Sequence, residues 1–182
     1  MTRRSLLFIL LTVIVPRIGC RARDEELEEP MAETRTETTN ESIEPLEIEH
    51  ARWKSVVAPE RYGVLFEEDT ERPFSSPLND EKRAGTFICA ACRLPLFESS
   101  MKFDSGTGWP SFFDAIPGRL GTKRDFRLLL PRTEYHCVRC GGHQGHVFKD
   151  GPKPTGLRYC NNGLALEFVP AGEALPALRT AS

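Results

Sequence analysis

Gly156-Leu157-Arg158-Tyr159-Cys160-Asn161-Asn162-Gly163-Leu164-Ala165-Leu166-Glu167-Phe168-Val169-Pro170 is the stretch around which the chain is organised. Leu164, Leu166 and Phe168 alternate with other residues at its end, the period-two pattern of a half-buried β-strand. Side chains on extended backbone repeat every two residues, so strand geometry reaching back to Arg158 would put Arg158, Cys160 and Asn162 on one face. That places a thiol between a fixed cation and an amide. A nearby guanidinium favours the thiolate, the nucleophilic form of cysteine. The competing reading is a small buried hydrophobe, the commoner fate of a free cysteine on an apolar strand.

Working outward, short β-type runs separated by Gly and Pro begin at Gly85: 86–89, 126–130, 134–138, 146–148 and 164–169. Short strands at this spacing predict a mainly β fold, an antiparallel β-sandwich or open barrel, over a parallel sheet with crossover helices. Short helices are expected N-terminal to it. One, over 47–54, would pack Trp53; Pro59 suits the first turn of the next, whose apolar face is Tyr62, Leu65 and Phe66. Residues 70–83, with Pro73, Pro77 and Asn79-Asp80, show no period and are expected to be loop.

The 182 residues suffice for one domain with extensions, set at 51–171. With 24 basic and 26 acidic residues, net charge −2, no basic excess points to a nucleic-acid partner. Residues 20–50 are rich in Glu and Thr and poor in apolar side chains, the composition of a disordered acidic linker. Residues 172–182 have little to anchor them and are expected to be a mobile tail. Before the linker, Met1-Thr2-Arg3-Arg4-Ser5, an apolar run over 6–15 and Pro16-Arg17-Ile18-Gly19-Cys20 have the layout of a signal peptide or short membrane anchor over 1–19. Export to the periplasm or cell envelope follows. Cys20 resembles a lipoprotein acceptor cysteine, with Arg17 and Ile18 where such sites usually carry Leu and a small residue. Lipid attachment, an uncleaved anchor and a non-lipidated exported protein all stay open.

The cysteines divide by spacing. Cys89-Ala90-Ala91-Cys92 and Cys137-Val138-Arg139-Cys140 are two Cys-x-x-Cys pairs reached from β-type segments. Four thiolates from two such knuckles make a closed tetrahedral zinc site, structural because no position remains for water. The interval between the pairs is about twice that of a zinc ribbon, so the metal is expected to staple two distant hairpins of one domain. The competing reading is a disulfide pair or a redox motif, which an oxidising compartment would favour. Cys160 is then the cysteine left for chemistry within the folded domain.

Two segments could serve it. His143-Gln144-Gly145-His146 follows Gly141-Gly142 and precedes Val147-Phe148. It lacks the glutamate of a zincin helix, yet its glycines would let both imidazoles approach one pocket, and imidazole exchanges protons near neutral pH. Asp104-Ser105-Gly106-Thr107-Gly108-Trp109-Pro110-Ser111-Phe112 holds Trp109 in a turn-forming context, where it could wall a small apolar pocket or cap the core.

Ser105-Gly106-Thr107-Gly108-Trp109-Pro110-Ser111-Phe112, His143-x-x-His146-Val147-Phe148, Asp150-Gly151-Pro152 and Pro154-Thr155-Gly156-x-Arg158-Tyr159-Cys160-x-Asn162, in this order with the two cysteine pairs, resemble the methionine-R-sulfoxide reductases over roughly 53–170. The resemblance implies reduction of methionine-R-sulfoxide, free or in damaged proteins, to methionine. It makes Cys160 the nucleophile. His143, His146 and Asn162 would polarise or protonate the sulfoxide oxygen, and Trp109 would receive the substrate methyl. Phe148 and Arg158 fall on the substrate side, Arg158 supporting the thiolate, and Cys89, Cys92, Cys137 and Cys140 correspond to the Zn2+ ligands of many members. The bottom-up chemistry agrees: a thiolate attacking a sulfoxide needs acid help at the oxygen and ends as a sulfenic acid.

Two departures bear on mechanism. Many relatives carry a resolving cysteine where this chain has Thr107, so regeneration is expected from an external reductant, thioredoxin-like or a small thiol. Asn161 replaces a common apolar residue and is expected to face away from the pocket with little consequence. The rival readings are a non-catalytic zinc-stapled β-fold binding module and a peroxide-reducing or disulfide-exchange enzyme.

Overall fold

In a computed structural model, residues 43–126 and 131–181 are described. The signal or anchor over 1–19, Cys20 and the linker up to residue 42 lie outside the described residues. Among the described residues, no helix is long and apolar enough to cross a membrane.

The chain runs α1 (His50–Val56), α2 (Pro59–Glu67), β1 (Gly85–Cys89), β2 (Pro95–Glu98), β3 (Lys102–Phe103), β4 (Ser111–Phe112), β5 (Leu120–Asp125), β6 (Arg132–Cys137), β7 (His143–Phe148), β8 (Arg158–Asn161) and β9 (Leu166–Pro170). Both expected helices form. Pro59 opens α2, its missing N–H falling where the helix has no partner for one. Trp53 is buried and stacks on Phe66 with ring centroids 5.1 Å apart. The linker expected up to residue 50 gives way earlier. From residue 43 the chain, without helix or strand up to residue 49, is tied to the domain: Ile43, Leu46 and Ile48 pack against the core, and Leu46 N–H donates to the Arg139 carbonyl. These apolar residues, thin in an acidic stretch, bury enough surface to hold it down.

The strands form two sheets, β2-β1-β9 and β3-β4-β8-β7-β6-β5, with every neighbouring pair antiparallel. The opening stretch is not one strand. Arg158–Asn161 lies in the six-stranded sheet, a 3₁₀ turn over Gly163–Ala165 breaks the run, and Leu166–Pro170 enters the other sheet. Of the run expected at 126–130, residues 127–130 lie outside the described residues, and the strand forms before it as β5. Leu-Gly-Thr-Lys-Arg-Asp at the sheet edge has no apolar alternation to reveal it.

Ladder register assigns the two faces of the six-stranded sheet. Phe112 opposes Tyr159, which opposes Val147. Their face carries the core: Phe97 stacks on Phe112 at 4.1 Å, Phe87 meets Phe112 edge-on at 5.0 Å, and Tyr135 meets Tyr159 edge-on at 5.3 Å. Phe87 and Phe97 come from the three-stranded sheet, so interleaved aromatics join the two sheets face to face. Residues 172–181 contain no helix or strand. The tail read as mobile is nonetheless tied at Arg179, whose N–H donates to the Cys92 carbonyl at 3.2 Å and whose carbonyl accepts from Arg139 Nη2 at 2.6 Å.

Candidate active site

On the face away from the aromatic core, the ladders set one transverse row. Ser111 of β4 opposes Cys160 of β8, Cys160 opposes His146 of β7, His146 opposes Glu134 of β6, and Glu134 opposes Lys123 of β5. Directly opposed residues on antiparallel strands project to the same side, so a thiol, an imidazole and a carboxylate line up without any loop having to place them. Gly145 makes the close approach possible: a Cβ there would stand 1.9 Å from the carbonyl oxygen of Cys160.

His143 and His146 would face opposite sides of a regular strand, because three is an odd step in a period of two. A β-bulge resolves this. Tyr135 opposes Gly145 but His136 opposes His143, leaving Gln144 as the extra residue and returning His143 to the face of His146. The two rings lie 5.5 Å apart. His143 is buried beneath the site, its Nδ1 2.8 Å from Glu134 Oε1, and His146 reaches the cavity. His146 Nε2 lies 2.8 Å from Asp125 Oδ2, which also accepts from Arg132 Nη2 at 2.7 Å. Burial holds the His146 imidazole below its ordinary value, opposed by the hydrogen bond to Asp125, so the resting ring is neutral at pH 7.

Cys160 is half-buried and lines a cavity of about 120 Å³ together with Thr70, Trp109, His146, Phe148 and Asn162. Burial pushes its thiol above the ordinary value. The Thr107 hydroxyl, 3.9 Å from Sγ, and the Arg158 charge both pull the other way without prevailing. Arg158 thus acts in the expected direction, but it is engaged elsewhere: Nε and Nη2 grip Asp150 at 2.9 and 2.8 Å and the guanidinium lies 4.4 Å over the Phe148 ring. Arg158 sits behind the cavity wall, holding Phe148 in it. The isolated site therefore rests as thiol and neutral imidazole, poised for a proton transfer that a bound oxygen acceptor would trigger.

Thr107 occupies the place a resolving thiol would need, at the end of a hydroxyl relay: Ser111 to Ser105 at 2.8 Å, Ser105 to Thr107 at 2.8 Å. Trp109 lines the cavity with its indole N–H donating to the Glu71 carbonyl at 3.2 Å. Asn162 continues the extended backbone past the end of β8 and donates to the Gln144 carbonyl at 3.3 Å. Asn161 does face away from Cys160, into the core, but it carries structural weight there: its Oδ1 accepts the Tyr135 hydroxyl at 2.7 Å and its amide donates to the Asn162 carbonyl at 2.7 Å. Asp125, Arg132, Glu134 and Glu71 escaped the sequence reading. Their roles come from ladder register and long-range loop contacts, and no spacing motif encodes either.

The four remaining cysteines converge. Cys89 and Cys92 flank the β1–β2 turn, Cys137 and Cys140 the β6–β7 turn, and the four sulfurs lie within 4.8 Å of one another. The knuckles match bond for bond: Arg93 N–H donates to the Cys89 carbonyl at 2.8 Å and Gly141 N–H to the Cys137 carbonyl at 2.9 Å, with Arg93 and Gly141 both left-handed at φ 65° and 71°. All four are free thiols. Sulfur separations of 3.6 Å for Cys89–Cys140 and 3.5 Å for Cys92–Cys137 compare with about 3.8 Å for the edge of a tetrahedron with 2.3 Å metal–sulfur bonds, so the donor set fits zinc. Hydrogen bonds from Cys137 and Cys140 hold the Cys92 thiol far below its ordinary value, and those from Cys137 push Cys89 and Cys140 up. Burial opposes such a charged cluster unless a cation shares it.

Residues 57–170 match the SelR domain. Over 121 residues the chain is 50% identical to the peptide methionine sulfoxide reductase MsrB of Agrobacterium fabrum, covering 66% of this chain and 90% of that protein. It is 51% identical over 124 residues to the MsrB of Methanosarcina barkeri, 68% of this chain and 87% of that one. To the MsrB of Pseudomonas putida it is 51% identical over 119 residues, 65% and 90%. With the match spanning well over half the chain and its relatives nearly end to end, this protein belongs to the SelR domain, or MsrB, family.

Proposed function

We propose that this protein is a peptide-methionine (R)-S-oxide reductase, returning methionine-R-sulfoxide in peptides and proteins, or free, to methionine. The observation that carries the reading is the convergence of Cys160, His146 and Trp109 on one small cavity in a chain of this family. The substrate sulfoxide enters with its methyl against Trp109 and its oxygen toward His146 and Asn162. The Cys160 sulfur bonds to the sulfoxide sulfur while the thiol proton, relayed by the neutral His146 imidazole, goes to the oxygen, which becomes a hydroxyl and then passes to the Cys160 sulfur as the sulfur–sulfur bond breaks. The S–O bond of the substrate breaks and a Cys160 S–O bond forms. The substrate sulfur gains two electrons and leaves as methionine, and Cys160 is oxidised by two electrons to the sulfenic acid. His143 and Glu134 buttress His146 from behind.

Recovery consumes two external thiols: the first displaces water from the sulfenic acid to give a mixed disulfide, the second releases Cys160 and carries away the disulfide. Among the described residues, Thr107 and not a thiol stands beside Cys160, which supports a thioredoxin-like or small-thiol donor. Cys89, Cys92, Cys137 and Cys140 hold a structural zinc ion that clamps the turns of the two sheets. The basic and apolar N-terminus directs export to the cell envelope, with membrane attachment through that segment or an acylated Cys20; mass spectrometry of the mature N-terminus tests this.

With dithiothreitol and each epimer of a methionine-sulfoxide peptide, the R epimer alone should turn over, and Cys160→Ser should abolish it. Turnover of the S epimer, or of hydrogen peroxide in its place, contradicts the assignment.

A further inference from the structure

Glu71 lies in the loop between α2 and β1, far in sequence from the candidate residues of the cavity, yet it contacts two of the cavity-lining residues, Trp109 and Asn162, and the turn that follows Asn162. Its carboxylate accepts the N–H of Gly163 at 2.5 Å through Oε1 and that of Leu164 at 3.0 Å through Oε2. Those are the two residues that immediately follow Asn162. Its own N–H donates to Asn162 Oδ1 at 3.2 Å, and its carbonyl accepts the Trp109 indole N–H at 3.2 Å. Arg61 steadies the same turn, Nη1 donating to the Leu164 and Leu166 carbonyls at 2.9 and 3.0 Å. The loop presses directly on it: a Cβ on Gly163 would stand 1.9 Å from Ser76 Oγ.

We propose that Glu71 is a positioning residue for sulfoxide binding, a tie that holds the Trp109 indole and the Asn162 amide relative to each other. The inference rests on the reductase reading, in which those two groups meet the methyl and the oxygen of the substrate. The side chain anchors the loop to the turn after Asn162, and the anchored main chain then holds both amide and indole. The segments that carry them already meet through the backbone, β4 pairing with β8 and the Pro110 carbonyl accepting the Asn161 N–H at 2.9 Å, and Glu71 adds the contacts to the indole and the amide side chains themselves. A carboxylate is the fitting side chain because it offers an acceptor to each of two backbone N–H groups. Burial pushes the Glu71 carboxyl up while the two backbone bonds oppose it, as expected of an acid held inside the fold for its hydrogen bonds.

The test uses Glu71→Ala and Glu71→Gln in the full chain. The protein contains two tryptophans, so its indole N–H spectrum should show two cross-peaks, one from core Trp53 and one from Trp109. In Glu71→Ala the Trp109 peak should move or broaden while the Trp53 peak stays, and KM for an R-sulfoxide peptide should rise about tenfold or more. Glu71→Gln keeps one acceptor and should fall between. A merely structural role predicts something different: a smaller folded fraction lowers kcat and leaves KM. An unmoved Trp109 peak with KM within about twofold of wild type would overturn the proposal. A wild-type protein that turns over neither epimer would overturn the reductase reading and this inference together, whereas failure confined to the variants leaves the reductase standing.

Discussion

At the scale of single residues, burial and not charge sets the resting state of Cys160. The Arg158 guanidinium is spent on Asp150 and Phe148, so the thiol stays above its ordinary value and the thiolate is scarce at neutral pH. Alkylation of the substrate-free protein by iodoacetamide should therefore be slow at pH 7 and still climb past pH 9; a plateau below pH 8 contradicts this. Thr107 makes the opposite kind of statement, about a role that geometry permits and chemistry withholds. With its hydroxyl 3.9 Å from Cys160 Sγ, Thr107→Cys should trap a disulfide to Cys160 after one turnover, detectable by peptide mapping. Asn161 supplies a stability prediction. Asn161→Leu strips the buried Tyr135 hydroxyl of its acceptor and should cost about 1–3 kcal/mol in urea unfolding, most of it recovered when Tyr135→Phe is added. Independent, additive losses would refute that pairing.

Elements explain how these residues meet, and why only part of the site was legible in the sequence. Cys160, Trp109, both histidines and the four-cysteine cluster sit in local motifs whose residue types announce their chemistry. Asp125 and Glu134 do not: each is an ordinary acid on a polar strand, made functional by register across β5, β6 and β7. The bulge at Gln144 was equally hidden, since it appears only when β7 is laid against β6. Even the organising stretch misled at its centre, because alternation from 164 to 169 says nothing of a turn held by Glu71 across the fold. The β7–β8 contact gives the element-scale prediction. Gly145→Ala places a methyl against the Cys160 carbonyl, so it should part the strands and cut kcat/KM by at least about tenfold, with His146 and Cys160 chemically intact. Activity within twofold of wild type, about the scatter expected of a neutral substitution, would show that the strands adjust.

For the whole molecule, the four-cysteine cluster spans the two sheets. It joins the β1–β2 turn to the β6–β7 turn, and Arg179 and Arg139 both bond to the Cys92 carbonyl, drawing the C-terminal tail to the same point. Gln144, whose Nε2 lies 3.6 Å from Cys89 Sγ, connects the cluster to the bulge and, through its carbonyl, to Asn162. Purified protein should contain one zinc per chain, lost in Cys89→Ala together with a large fall in thermal midpoint and in activity; a metal-free protein of full stability and activity would contradict the assignment. The reductase reading as a whole is tested most directly by a single turnover without reductant, with an R-sulfoxide peptide in slight excess and dimedone present. One methionine should form per protein together with one dimedone adduct, on Cys160 alone. Methionine formed without modification of Cys160, or a trapped oxygen on any other residue, would contradict it.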